Sequence, residues 1–156
     1  NRTFYTSLGH ADDFANPNFH KLVTNAIAWC LSADARPGAI AIAANYGVEP
    51  GEPLRVGVAL FEKMWRDNKL TLLDVRTTSE YRAGHLPETK WIDWFSTTFA
   101  DEAAKLDKDK FYLVYCAGGI RSARACKKMS EMGFKYLVDL APGFKGWKAA
   151  GKAIEK

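Results

Sequence analysis

The sequence predicts an α/β domain, a parallel β-sheet with helices on both faces. Three observations carry that prediction. From Lys69 onward short apolar runs, "LTLLDV", "KWIDW", "KFYLVYC" and "YLVDL", alternate with segments of helical spacing. The connections between them are short, as in serial βα units. The runs are continuously apolar, the pattern of strands covered on both faces.

Each element has its own signal. "VALFEKMWRD" opens the series as a helix with Val58, Phe61, Met64 and Trp65 on one face. "LTLLDV" is a short strand ending on a polar group. In "TTSEYRAGH", Thr77 stands three residues before Glu80, a capping-box spacing, and Gly84 marks a stop. "KWIDW" is a second strand, and "TTFADEAAKL" a helix with Phe99, Ala103 and Leu106 together. "KFYLVYC" reads as a central strand. From Ser122 to Met132, Ala125, Cys126, Met129 and Met132 share a face opposite Arg124, Lys127, Lys128 and Glu131, with Gly133 as the stop. "YLVDL" and "GFKGWKAAG" supply the last strand and helix.

The N-terminal third differs. "RTFYTSL" reads as a strand and "NPNFHKLVTNAIAWCL" as a helix with Phe19, Leu22, Val23, Ala26 and Cys30 together. Residues 33–55, rich in Ala, Gly and Pro, lack period and are expected to be a linker. One strand and one helix bury no core alone. Residues 1–32 are therefore expected to be an appendage or the remnant of a preceding domain, and residues 56–156 the main domain. The chain opens on Asn1, without an initiator Met, in what reads as a strand, as a piece of a longer protein would.

Composition narrows the function. The 156 residues are 47% apolar and 26% charged, with a net charge of +4, the ordinary globular mix. The lysines alternate with acids, as in "EAAKLDKDK", and form no basic stripe. That favours small anions as partners over nucleic acid. No apolar run has membrane-spanning length. Three cysteines and three histidines fit neither a disulfide framework nor a zinc spacing, so no metal and no cofactor is expected. The compartment stays open between cytoplasm, slightly favoured, and periplasm.

One segment concentrates chemistry, "YLVYCAGGIRSARACKKM". Cys116 ends the central strand, and in parallel sheets the reactive crevice lies at the carboxyl ends of the strands. A thiolate at neutral pH needs positive potential. Gly118 and Gly119 permit positive φ, so successive N–H groups can turn inward as an anion nest. The helix expected to start near Ser122 aims its N-terminus at the same point, and Arg121 adds a full charge. Residues Ala117, Gly118, Gly119, Ile120, Arg121 and Ser122 would thus cradle a thiolate, a persulfide anion or an oxyanion such as thiosulfate. The competing reading is a buried cysteine packed as a small hydrophobe beside a tight turn. Two glycines and an arginine between strand and helix suit anion binding better than packing.

Three ordered segments, "LLDVRTTSEYRAGHLP", "YLVYCAGGIRSARACKKMSEMGF" and "LVDLAPGFKGWKAAGK", resemble the rhodanese family of sulfurtransferases over about residues 56–156. The resemblance implies a three-layer domain with a central five-stranded parallel sheet. It implies a cysteine, here Cys116, that takes sulfane sulfur from a donor such as thiosulfate and passes it to a thiophilic acceptor such as cyanide or a thiol. Residues 117–121 match the loop whose amides hold the persulfide. Two departures, Pro142 before Gly143 and Ala153 near the end, lie away from that loop. Residues 1–32, in "FYTSLGH" and "NPNFHKLVTNAIAWCL", resemble the C-terminal end of the trehalose-utilisation ThuA-like domain, and no activity is inferred from them.

Other residues have plainer expectations. Asp74 is expected either to shape the loop through its amides or to pair structurally with a backbone N–H or Arg76. Arg76 and Glu80 are expected to form a structural pair. His85 is expected to serve a turn, and Cys126 and Cys30 to be packed. Most of Trp91, Trp94, Phe95, Phe99, Phe144 and Trp147 are expected in the core, some at the rim of the pocket. A cysteine phosphatase or arsenate reductase is the second enzymatic reading. It needs Arg six places after the cysteine, whereas Arg121 is five places after Cys116. A sulfur-carrying or regulatory module of a larger protein is the third.

Overall fold

The computed structural model describes residues 37–156, so the expected strand and helix of residues 1–32, with Cys30, lie outside the described residues. The chain divides into two units, Asn1–Gly47 and Val48–Lys156. In the first, Pro37–Tyr46 is an α-helix, α1, where the sequence predicts a linker. The missed signal is local: proline suits the first helical position, and the alanines that follow are the strongest helix formers.

The second unit runs β1 (Leu54–Val56), α2 (Val58–Asn68), β2 (Thr71–Asp74), α3 (Thr78–Arg82), β3 (Lys90–Trp91), α4 (Phe99–Ala104), β4 (Phe111–Tyr115), α5 (Ile120–Glu131), β5 (Tyr136–Leu140) and α6 (Gly143–Ala149). The sheet has five strands in the order β1-β5-β4-β2-β3, and every pairing is parallel. This is the expected α/β architecture. Its first strand, however, begins inside the expected linker and ends on Val56, the first residue of the expected main domain. β1 is three residues long, "LRV" between Pro53 and Gly57, too short for any period to register.

Alternation of the strands sorts the core into two layers. On one face Leu73, Tyr112, Val114 and Leu137 meet Phe99 and Ala103 of α4 and Ala125, Cys126 and Met129 of α5. On the other, Phe61 and Trp65 of α2 pack edge-on against Trp147 of α6, with ring centroids 6.2 Å apart in both pairs. All five residues of β4 and of β5 are buried, as central strands should be. The expected capping box forms: Thr77 Oγ1 accepts from the Glu80 N–H, and the Thr77 N–H donates to Glu80 Oε2 at 3.0 Å. No described helix is long and apolar enough to cross a membrane.

Candidate active site

Cys116 is the first residue past β4, at its carboxyl end, and is 1% exposed. Its sulfur does not sit among apolar groups alone. The Gly119 N–H donates to Sγ at 3.1 Å and the Ser122 hydroxyl donates at 3.4 Å. Burial pushes the thiol pKa up, but donation from the Ser122 hydroxyl and from the Ser122, Gly118 and Gly119 amides outweighs it, so the thiol titrates below its usual value.

The cradle is built differently from the expectation in two respects. Only Gly119 of the glycine pair takes a positive φ, +87°. It is the N-cap of α5, which begins at Ile120 rather than near Ser122. The last loop residues thus form the helix's first turn, and the Gly119 and Ser122 amides at the sulfur are unsatisfied N-terminal groups of that helix. A Cβ on Gly119 would run into the carbonyl oxygen of Ala141 and stand 2.9 Å from Arg55 Nη2, whereas one on Gly118 would meet nothing within 4 Å.

The loop's outer side is tied down by α6. The Phe144 and Lys145 N–H groups donate to the carbonyls of Cys116 and Ala117 at 2.7 and 3.0 Å. In a trans peptide the N–H points opposite to the C=O, so anchoring these carbonyls on α6 turns the following amides away from α6. Gly143 permits the approach: a Cβ there would stand 2.6 Å from the Cys116 oxygen. Sequence reasoning passed over Gly143, because its constraint comes from a loop it meets only in the folded chain.

The charged residues pair otherwise than expected. Arg76 does not meet Glu80. Its Nη2 donates to Asp74 Oδ2 at 2.6 Å and to the Gly84 carbonyl at 2.7 Å, and its Nε lies 2.9 Å from Oδ2. The Arg76 N–H also donates to Asp74 Oδ1 at 2.9 Å. Both residues are buried. The guanidinium lies 4.0 Å from the Phe144 ring centroid, which links this pair to α6. Burial works against the Arg76 cation, but Asp74 more than compensates, and its pKa rises. Of the two roles expected for Asp74, the structure has the pairing with Arg76. Proximity decides this: Asp74 is already buried at the end of β2, two residues from Arg76.

Glu80 instead takes Arg121, with Nη1 and Nη2 donating to Oε2 and Oε1 at 2.7 Å each. The Arg121 hydrogen bonds and those from Thr77 hold the Glu80 carboxyl down to about 2, against a smaller opposing push from burial. The Arg121 pKa is raised chiefly by Glu80, with a smaller attraction from Cys116. The Arg121 guanidinium also lies 5.6 Å from the Phe95 ring centroid. Phe95 and Ile120 are each 67% exposed, while Phe99 and Trp147 are core. Trp94 packs edge-on against Phe99, and the Trp91 indole donates to the Arg76 carbonyl at 2.8 Å.

His85 serves its turn. It stacks on Tyr81 at 4.0 Å and bridges Glu155 through backbone hydrogen bonds. Cys126 is fully buried, and burial foremost pushes its thiol well above the usual value. An open cleft of about 530 Å³, lined by Trp65, Arg66, Lys69, Leu70 and Glu88, lies toward the amino ends of β2 and β3. It holds none of the expected site residues.

Known proteins share parts of this sequence and its fold. The chain is 36% identical over 94 residues to a putative sulfurtransferase, YtwF, of Bacillus subtilis, covering 60% of this chain and 88% of that one. It is 32% identical over 80 residues to the thiosulfate sulfurtransferase GlpE of Coxiella burnetii, covering 51% and 73%. It is 34% identical over 90 residues to a tRNA uridine(34) hydroxylase of Buchnera aphidicola, covering 54% of this chain but only 28% of that longer protein. A solved rhodanese-like domain protein from Staphylococcus aureus superposes with a TM-score of 0.56 at 27% identity, over 66% of this chain and 99% of that one. The rhodanese-like domain model matches residues 58–150, which contain β2 to β5 and the whole Cys116 loop, and the chain belongs to that family.

Proposed function

We propose that this chain is a sulfurtransferase that moves sulfane sulfur from an anionic donor such as thiosulfate to a thiophilic acceptor, cyanide or a thiol, through a persulfide on Cys116. The observation that carries the reading is the pair of donors on Sγ, the Gly119 amide at 3.1 Å and the Ser122 hydroxyl at 3.4 Å. They favour an anionic sulfur at neutral pH. The thiolate attacks the outer sulfur of thiosulfate, the S–S bond breaks and sulfite leaves with its electron pair. The Cys116 persulfide then carries one negative charge, as the thiolate did. Attack by cyanide on the terminal sulfur releases thiocyanate and restores the thiolate. Each step exchanges one anion for another, so a fixed set of donors serves the whole cycle without rearrangement.

The commitment of Arg121 to Glu80 weighs against the phosphatase reading, since a tetrahedral dianion would want that guanidinium free. A sulfur-carrying module of a larger protein, with little turnover of its own, is the second reading. The match to a 28% segment of a longer relative favours it. Incubation with thiosulfate followed by intact mass measurement tests the first claim: the protein gains one sulfur atom and Cys116→Ser does not. Thiocyanate formation over many turnovers then separates enzyme from carrier. A wild-type protein that gains no sulfur from thiosulfate or from a low-molecular-weight persulfide would remove both readings.

A further inference from the structure

Asp139 is a buried carboxyl beside the nucleophile that the sulfur-transfer steps leave unused. Its side chain is 3% exposed, and neither oxygen receives a hydrogen bond. Alternation along β5 puts it on the same face as Leu137, the side covered by α5. Around it stand Arg55 from β1 and Ser122 and Cys126 from α5, and the Ser122 hydroxyl reaches on to Cys116 at the end of β4. Arg55 Nη1 approaches Oδ2 at 3.2 Å without a hydrogen bond, its side chain is half exposed, and its Nη2 donates to the Ala141 carbonyl at 3.3 Å.

The Ser122 hydroxyl lies between two acceptors and has one proton. That proton is given to Cys116 Sγ, and the Asp139 oxygens are left without a donor. If Asp139 were a carboxylate, it and the sulfur would compete for the one hydroxyl proton; the sulfur would keep the Gly119 N–H, and Asp139 would keep only the half-exposed Arg55 cation at 3.2 Å, which makes no hydrogen bond to it. A proton on Asp139 removes the conflict. The carboxyl O–H can then donate to a Ser122 lone pair, while Ser122 goes on donating to the sulfur.

We propose that Asp139 is a positioning residue that works as a neutral carboxyl, donating to Ser122 and thereby holding the Ser122 hydroxyl on the anionic sulfur of Cys116. The chain of donors runs one way, from Oδ–H to Oγ–H to S⁻, and each donation polarises the next. The charge balances without a co-reactant. Asp139 keeps its proton throughout: the Cys116 thiol loses its proton to solvent, and the one negative charge stays on the sulfur. Because the cycle exchanges anion for anion at the sulfur, Asp139 never has to ionise during turnover. Burial pushes its carboxyl above the usual range, against weaker pulls from Ser122 and Arg55. This rests on the reading of Cys116 as an anionic sulfur.

Two measurements on the whole chain test it. The infrared spectrum at neutral pH is expected to show the carbonyl band of a protonated carboxyl that Asp139→Asn removes. The iodoacetamide reactivity of Cys116 against pH is expected to keep its midpoint in Asp139→Asn, whose amide N–H can replace the carboxyl donor. In Asp139→Ala, which has no donor, the midpoint should rise by roughly half to one pH unit, the worth of one buried hydrogen bond. A purely structural Asp139 would not separate Asn from Ala in this way. A wild-type spectrum without the band overturns the proposal even if Asp139→Ala fails to fold. So does a lowered midpoint in Asp139→Asn, which would mean that a carboxylate charge had been removed. Failure of the sulfurtransferase reading would show separately, as no sulfur gained from thiosulfate while these results stand.

Discussion

Arg121 closes on Glu80 through two parallel 2.7 Å hydrogen bonds, so the cation in the cysteine loop is matched by a carboxylate on a different helix. The loop's positive potential therefore comes mainly from amides and a hydroxyl. Arg121 braces the loop against α3 and adds a lesser attraction for the sulfur.

That division gives a first prediction. Arg121→Ala should reduce Cys116 alkylation by a neutral reagent only modestly, because the Gly119 and Ser122 donors remain. The larger loss should appear in thiosulfate KM, since the donor is a dianion. Comparing iodoacetamide rates with thiosulfate kinetics in the same variant checks this. An equal loss in both would mean that Arg121 acts by shaping the loop.

The same pair has a pH signature. The Glu80 carboxyl is held down to about 2 in the fold, against roughly 4.3 in an unfolded chain. A depressed acid stabilises the protein above its unfolded pKa, and that stability is lost as pH falls through the folded value. Glu80→Gln keeps the capping-box geometry, since Gln serves that position too, but loses the ion pair. Its urea midpoint should therefore lie below wild type at pH 6, and the gap should close between about pH 4 and 2. A gap that persists unchanged at pH 2 would assign the effect to packing.

The two loop glycines should behave oppositely. Gly119→Ala places a Cβ against the Ala141 carbonyl at a φ of +87°, and the backbone conformation alone costs about 1–2 kcal/mol. It should lower the melting temperature clearly and abolish persulfide formation. Gly118→Ala, with open space around its Cβ, should stay within about 0.5 kcal/mol of wild type and keep sulfur transfer. Melting curves and intact masses of the two variants decide it.

The contrast between these glycines also shows what was legible in the sequence. "CAGGIRS" announces a loop that lines Cys116 with donors, and Cys116 at a strand end, the Thr77–Glu80 capping box and the apolar faces of α4 and α5 were readable because each signal is local. Which glycine bears the positive φ depends on Ala141, a residue of the next βα connection, and no local pattern contains it. Glu80 and Arg121 are 41 residues apart, and the sequence offers Arg76 as the nearer partner. β1 escaped because three residues carry no period, and α1 because its alanines and Pro37 sit among the Gly and Pro of an apparent linker.

The cysteines should separate cleanly. Cys116→Ser is expected to lose the sulfur gained from thiosulfate, while Cys126→Ser keeps most of it, because Cys126 is fully buried with a thiol pushed well up. In wild type, Cys116 should alkylate with a midpoint below the free value of roughly 8.5, since its donors outweigh burial. A folded Cys126→Ser variant as inactive as Cys116→Ser would make Cys126 a participant in the chemistry.

The buried Asp74–Arg76 pair should prove a brace whose halves depend on each other. Arg76→Met leaves the Asp74 carboxylate buried without its cation, though still accepting from the residue 76 backbone N–H, and breaking a buried pair from one side costs about 3–5 kcal/mol. A small domain has about 5–15 kcal/mol in total, so this variant should be soluble only in part or melt far below wild type. It also removes the cation from the face of Phe144, and Phe144 holds the Cys116 carbonyl through its N–H. Sulfur transfer per folded molecule should therefore fall as well. Asp74→Asn is expected to cost less, because an amide can still accept from the residue 76 N–H and from the guanidinium. The double variant Asp74→Asn with Arg76→Met should recover part of the loss of Arg76→Met, because no unpaired charge remains buried. Urea unfolding of the four proteins gives the coupling directly. Strict additivity would show that each residue is held by other contacts, with Arg76 bound mainly through the Gly84 carbonyl and the Phe144 ring.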